Sequence, residues 1–351
     1  MVAGALTLAA CSSPASSTTG SPSSGSPAPP APSPSAAPIR SGTADVAFAG
    51  SLLAVDNEVV GPAFERADGY HYTGTGGGSI GLANEITAGE IDPGVFESVG
   101  AAPIEILEPA RTTWYVQFAA SPLVLAYNPD SPQASTFEAV AAGKEPLTRV
   151  FQVMATPGFL LGRTDPATDP QGQAFVMMVE LAQRYLHLPS GIVDRILGAG
   201  AATGTGGTAS QIFSETSLDS HLEAGQLDAA SAFLSQAVQL HLHYIKLPAA
   251  IDFGDPADAG RYASASLVVP ATTGSPTTVH GTPLVVDITT LHQAGTTNGD
   301  VAAADAFAAY QLSSAGRAAY AKEGFSLLPN TLYGARRNVP NAVQRMLTAT
   351  R

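Results

Sequence analysis

Ser51 and Ser79 each follow a glycine, and each stands at the start of a stretch with helical periodicity. A helix start exposes backbone N–H groups and partial positive charge, and a serine hydroxyl adds a donor. Two such starts at one edge of a parallel sheet would make an anion site without any Lys or Arg. Both serines could equally be ordinary helix caps, because serine is favoured at any helix start. Asp169 precedes Pro170 and reads either as a turn residue or as a carboxylate facing such a ligand. A carboxylate about 5 Å from a dianion costs on the order of 6 kcal/mol at an effective dielectric of 20. An inward Asp169 must therefore ligate a metal centre, carry a proton, or meet a ligand that is not a dianion.

Cys11 is the only cysteine in the chain. It closes the sequence Leu-Ala-Ala-Cys after a short apolar stretch, which is the pattern of a lipoprotein cleavage box. Residues 1–10 suit the core of a signal peptide, without its basic segment, and are too short to span a bilayer. The Ser/Pro-rich tract that follows has too little apolar area to fold. As a flexible coil of roughly 28 residues it would span on the order of 30 Å. The expectation is a signal peptide over 1–10, then a lipidated Cys11 and tether over 11–43. Cys11 would anchor the protein to the outer face of the cytoplasmic membrane.

The folded part must position the two Gly-Ser steps. Residues 45–49 (Asp-Val-Ala-Phe-Ala) read as a buried strand, followed by Gly50-Ser51 and a helical pattern over 52–66. Residues 70–73 read as a second strand, 74–78 as a glycine run after it, and 80–88 as a helix. A third strand is expected over 94–97, ending near Ser98. Alternating strands and helices with short Gly/Ser turns predict a parallel sheet covered by helices. Residues 114–127 form a long extended run broken near Ala120-Ser121, suited to a crossing between domains. Further on, 173–186 and 217–224 read as helices, 229–233 as a strand or an apolar turn, and 244–247 as a strand. An extended return is expected at 283–286, and helices at 302–312 and 315–323.

Hydrophobic residues make up 45% of the chain and charged residues only 13%, so a well-filled core is feasible. The formal net charge of −13 argues against nucleic acid as a partner and against a basic membrane-binding face. A single cysteine excludes an intrachain disulfide.

Read in order, these segments resemble the molybdate/tungstate-type solute-binding proteins of ABC importers. Ala49-Gly50-Ser51-Leu52 is similar to that family's first oxyanion-binding turn, and Gly78-Ser79-Ile80 to its second. Phe96-Glu97-Ser98 resembles the family's Ser-bearing strand end, and residues 118–127 its interdomain crossover. Residues 165–172 resemble the Pro-x-Gly loop of its second domain, and Gly316-Arg317 with Gly324-Phe325 its C-terminal helix and helix end. The resemblance covers about residues 44–329. It implies a two-lobed α/β fold, each lobe a mainly parallel sheet flanked by helices, with a hinge of two crossovers. Lobe I is expected over 44–119 plus 283–331, lobe II over 120–282, and a tail over 332–351.

By the same resemblance Ser51, Ser79, Gly50, Gly78, Ser98, Asp169 and Phe233 would line an interlobe cleft for a small oxyanion. No cofactor or metal is implied. The partners would be an ABC permease and the lipid anchor, and the protein a monomer. In the tungstate-preferring branch an Asp and a later Glu complete a six-coordinate metal centre. Asp169 matches the Asp, but Ala232 stands where the Glu is expected and Phe233 where the family has Tyr.

Three other readings compete. Residues 77–81 match Gly-x-Ser-x-Gly, which would make Ser79 the nucleophile of an α/β-hydrolase with His280 or His292 as base. His241 and His243 would share a strand face but have no third metal ligand nearby in sequence. A purely structural surface lipoprotein is the third. Gly204–Gly207 lacks the Lys-Ser/Thr of a phosphate loop.

Overall fold

The computed structural model describes residues 38–203, 206–270, 275–291 and 295–350. Cys11, residues 12–37 of the expected tether and His292 lie outside these residues, and Thr43 already belongs to the first strand. Fourteen strands are present among the described residues. The first five are β1 (Thr43–Ala49), β2 (His71–Gly77), β3 (Val95–Val99), β4 (Trp114–Ala120) and β5 (Leu123–Tyr127). Next come β6 (Leu161–Thr164), β7 (Ile212–Phe213), β8 (Ala229–Phe233), β9 (His243–Lys246), β10 (Ser266–Val269) and β11 (Thr277–His280). The chain ends with β12 (Val285–Thr290), β13 (Ser326–Gly334) and β14 (Ala349–Thr350).

Two main sheets divide the chain into two α/β lobes. The first has seven strands in the order β14-β13-β4-β12-β3-β1-β2, and the second has five in the order β7-β6-β8-β5-β9. β10 and β11 form a separate antiparallel pair. Both sheets are mixed. β1 pairs in parallel with β2 and β3, whereas β12 runs antiparallel to both β3 and β4. In the second sheet β6 is parallel to β7 and β8, and β5 is antiparallel to β8 and β9. All residues of β3, β5, β8 and β12 are buried, as strands covered on both faces must be.

The chain passes between the sheets at β4 to β5 and again before β12. The two passages lie side by side, with the Ser121 amide donating to the Leu284 carbonyl at 3.3 Å. Ser121 Oγ also lies 3.0 Å from Ser235 Oγ and accepts from the Ser235 amide at 3.0 Å.

Several sequence expectations change. The glycine run at 74–77 does not follow the second strand but forms the second half of β2, with Gly74 opposite Val46 and Gly76 opposite Phe48. A Cβ on Gly74 would lie 2.6 Å from the Phe48 ring, and one on Gly76 2.9 Å from it. Glycine is used here because the neighbouring ring fills the space a side chain would need. Residues 332–350, expected as a tail, complete β13 and add β14 to the first sheet. His241 has a left-handed φ of 53° in the turn before β9, so it does not share a strand with His243. The helix expected over 52–66 is three segments: a 3-10 turn at Gly50–Leu52, a π-helix at Val55–Val60 and an α-helix at Gly61–Asp68.

Candidate functional site

The two Gly-Ser steps leave the first sheet next to each other. Ala49 is opposite Gly77 in the parallel register of β1 and β2, so Gly50-Ser51 and Gly78-Ser79 follow at the same sheet edge. Gly78 is the N-cap of the helix Ser79–Ala88, which Gly89 ends in the left-handed conformation at φ 75°. Ser51 and Ser79 are both buried. Ser79 Oγ accepts from the Val99 amide at 3.1 Å, which fixes the second turn to the end of β3. Ser51 Oγ is buried without a hydrogen-bond partner.

Two carboxylates of the second lobe meet these turns. Asp169 is the N-cap of the helix Pro170–Tyr185, and its Oδ1 accepts from the Gln171 amide at 2.8 Å. Its Oδ2 is buried and unpartnered. Asp169 therefore acts as a turn residue and still keeps one oxygen free inside the protein. The loop before it is pressed against the second turn: the Gly81 amide donates to the Thr168 carbonyl at 3.0 Å. A Cβ on Gly78 would lie only 2.6 Å from that carbonyl oxygen.

The other carboxylate is Glu215, the first residue of the helix Glu215–Glu223. Its Oε2 accepts from the Gly50 amide at 2.8 Å and its Oε1 from the Ser51 amide at 2.9 Å. Both oxygens thus sit on the first turn from the opposite lobe. A Cβ on Gly50 would come within 2.8 Å of Oε2, so this approach needs glycine. Sequence reasoning missed Glu215. Its one signal, an acid in the first turn of a helix, is common to ordinary helices.

Among the described residues no cation forms an ion pair with these acids. Burial, and then the charge of Asp169, hold Glu215 well above the usual carboxylate range, against the lowering effect of the Ser51 and Gly50 hydrogen bonds. Burial pushes Asp169 up to about 7. Asp219, one turn along from Glu215, is pushed up to about 7 by burial and by Glu223. A cavity of about 190 Å³ adjoins the first turn, with Ser51, Glu215, Asp219, Glu223, Gln236 and Gln239 in its wall. Behind it, Ser231 Oγ donates to Gln171 Oε1 at 2.9 Å, and Gln171 Nε2 donates to Gln236 Oε1 at 3.0 Å.

The remaining expected site residues have other contacts. Ser98 Oγ donates to the Gly100 carbonyl at 2.8 Å. The Phe233 ring is buried in the main hydrophobic core, and its amide donates to Gln236 Oε1 at 2.9 Å. His280 is exposed on β11, far in topology from Ser79, so the hydrolase reading finds no base there. Among the described residues no group of three or more His, Cys, Asp or Glu is placed to hold a metal ion.

Residues 44–326 match the family described as bacterial extracellular solute-binding protein. The chain belongs to that family. It is a family of binding proteins rather than enzymes. A Haloferax volcanii relative whose name describes an ABC transporter molybdenum-binding protein is 30% identical over 248 residues, covering 69% of this chain and 70% of that one. An uncharacterized solute-binding protein of Halobacterium salinarum is 31% identical over 252 residues, covering 72% and 75%. The molybdate/tungstate-binding protein WtpA of Thermococcus kodakarensis is 27% identical over 206 residues, 54% of each chain. The periplasmic molybdate-binding protein of Azotobacter vinelandii superposes with a TM-score of 0.50 at 16% identity, over 83% of this chain and all of that one. At that identity the likeness concerns the two-lobed fold alone.

Proposed function

We propose that this protein is the substrate-binding component of an ABC importer and takes a small tetrahedral oxyanion, molybdate or tungstate, between its lobes. Gly50-Ser51 and Gly78-Ser79 supply the donors from the first lobe, and Asp169 faces them from the second. Ser98 and Phe233 support this site from the end of β3 and from the core behind β8. The observation that carries the reading is the hold of two adjacent amides, Gly50 and Ser51, on both oxygens of a carboxylate. Amides that already bind one anion in bidentate fashion have the geometry an oxyanion needs. The names of the Haloferax and Thermococcus relatives favour molybdenum or tungsten chemistry over sulfate.

Charge-assisted hydrogen bonds contribute roughly 1.5–3 kcal/mol each, so a few pre-aimed donors give micromolar binding or better. The two interlobe passages would act as a hinge, with the ligand stabilising the closed form. The closed form would dock on the permease, and lipid on Cys11 would keep the protein at the membrane as a monomer. Thermal-shift and calorimetric titration with molybdate, tungstate and sulfate tests the reading. Molybdate or tungstate should raise the melting temperature, and no response to any oxyanion refutes the proposal.

A further inference from the structure

Glu215 occupies the amides that an oxyanion would need. It reaches them from the other lobe, is almost fully buried, and binds with both oxygens. We propose that Glu215 is a displaceable internal occupant of the first turn: an incoming oxyanion expels its carboxylate, which takes up a proton as it leaves. Position 215 then sets how tightly, and at which pH, the site accepts a dianion. This inference rests on the oxyanion reading of the cleft.

The charges around Glu215 require the proton. The first turn, Gly50–Leu52, carries no ionisable side chain, and neither does β8, beneath the helix. β2 offers only His71 and Tyr72, at its far end, and β6 only Arg163, which hydrogen-bonds Gln211 through Nε and interacts with Asp165. The loop before Pro170 brings Asp169, whose charge acts on Glu215 directly. Asp219 and Glu223 lie along the same helix and the same cavity. A dianion placed beside an ionised Glu215 and Asp169 would meet like charge with no cation from these elements between them. A protonated carboxyl has the opposite effect, because it becomes a donor to the oxyanion. Space and partners are at hand: the adjoining cavity can receive the expelled side chain, and the unpartnered Ser51 Oγ and Asp169 Oδ2 can turn to the ligand.

Glu215→Gln and Glu215→Ala separate this from a role for Glu215 in holding the ligand. Molybdate is titrated calorimetrically into the wild type and both variants at about pH 6 and about pH 8, in two buffers of different ionisation enthalpy. The expected wild-type result is proton uptake on binding and affinity about tenfold or more weaker at the higher pH. The Gln variant should bind about tenfold or more tighter than wild type at the higher pH and lose most of the pH dependence. Weaker binding by both variants at both pH values, with no proton uptake by the wild type, overturns the proposal.

Hydrogen–deuterium exchange of the ligand-free proteins reads the contact without any ligand. The peptide over residues 49–53 should exchange faster in Glu215→Ala than in the wild type at the same pH. Unchanged exchange there overturns the internal occupancy, whatever binds. Faster exchange without molybdate binding by any of the three proteins supports the occupancy, overturns its displacement by molybdate, and sinks the molybdate reading of the cleft.

Discussion

Ala49 and Gly77 lie opposite each other on adjacent parallel strands, and each strand ends there in a Gly-Ser step. This single register pair brings together two turns that are 28 positions apart in sequence (from Ser51 to Ser79). A slip of the pairing would separate them, because register decides where every later residue emerges.

The two serines should respond differently to alanine. Ser51 Oγ makes no well-formed hydrogen bond and meets only the Glu215 carboxylate, so Ser51→Ala should change the unliganded melting temperature little. It should weaken molybdate binding by about 1.5–3 kcal/mol, or roughly 10- to 150-fold. Ser79 Oγ holds the Val99 amide, so Ser79→Ala should also destabilise the unliganded protein by about 1–2 kcal/mol. Paired calorimetric titrations and melting curves check both.

Gly78→Ala should disturb the contact between the lobes. The new Cβ would meet the Thr168 carbonyl oxygen at 2.6 Å, and backbone cannot move aside as a side-chain tip can. A cost of about 1–3 kcal/mol is expected, together with loss of oxyanion binding. Denaturant unfolding and titration of the same variant measure the two effects.

The core of the first lobe predicts a pH dependence of its own. Tyr320 Oη lies 2.9 Å from Asp56 Oδ1 and 3.1 Å from Glu97 Oε2, and Gln311 Nε2 donates to Glu97 Oε2 at 3.3 Å. One hydroxyl hydrogen cannot serve two ionised carboxylates, and both are fully buried. Burial pushes Asp56 up to about 8 and, with the charge of Asp56, holds Glu97 well above its ordinary value. A carboxyl raised in the folded state gives stability that is complete below its unfolded value and is lost as pH rises through its folded value. Stability should therefore fall from about pH 4 towards pH 8, by up to about 1.4 kcal/mol per pH unit for each proton retained. Asp56→Asn should flatten that slope, as melting curves across this range will test.

Cys11→Ala in the full chain should abolish fatty-acid incorporation and release the protein from membranes. Metabolic labelling with an alkyne fatty acid, followed by fractionation, checks this. Label retained in the variant would refute lipidation at Cys11.

Much of this architecture was legible because local rules agreed with it. The apolar run at 45–49 could be little other than a buried strand, and the break at Ala120-Ser121 marks the passage from β4 to β5. The strand character of 74–77 was hidden, since glycine usually signals a turn and here answers to the rings of Phe48 and Tyr72. The site was legible only on one side. Gly50-Ser51 and Gly78-Ser79 announce themselves by turn chemistry, whereas Glu215 reaches the first of them across a gap of 164 residues that no local pattern reports.

The strand order of the first sheet also governs when that lobe can form. β4 is flanked by β12, which follows it by nearly half of the chain, and by β13, which follows later still, and β14 closes the edge with nearly the last residues. Pairings so distant in sequence are slow to form and wait for late segments. β4 therefore stays without either of its sheet neighbours until β12 and β13 have been made. A chain exported in that state would complete its first sheet only on the far side of the membrane.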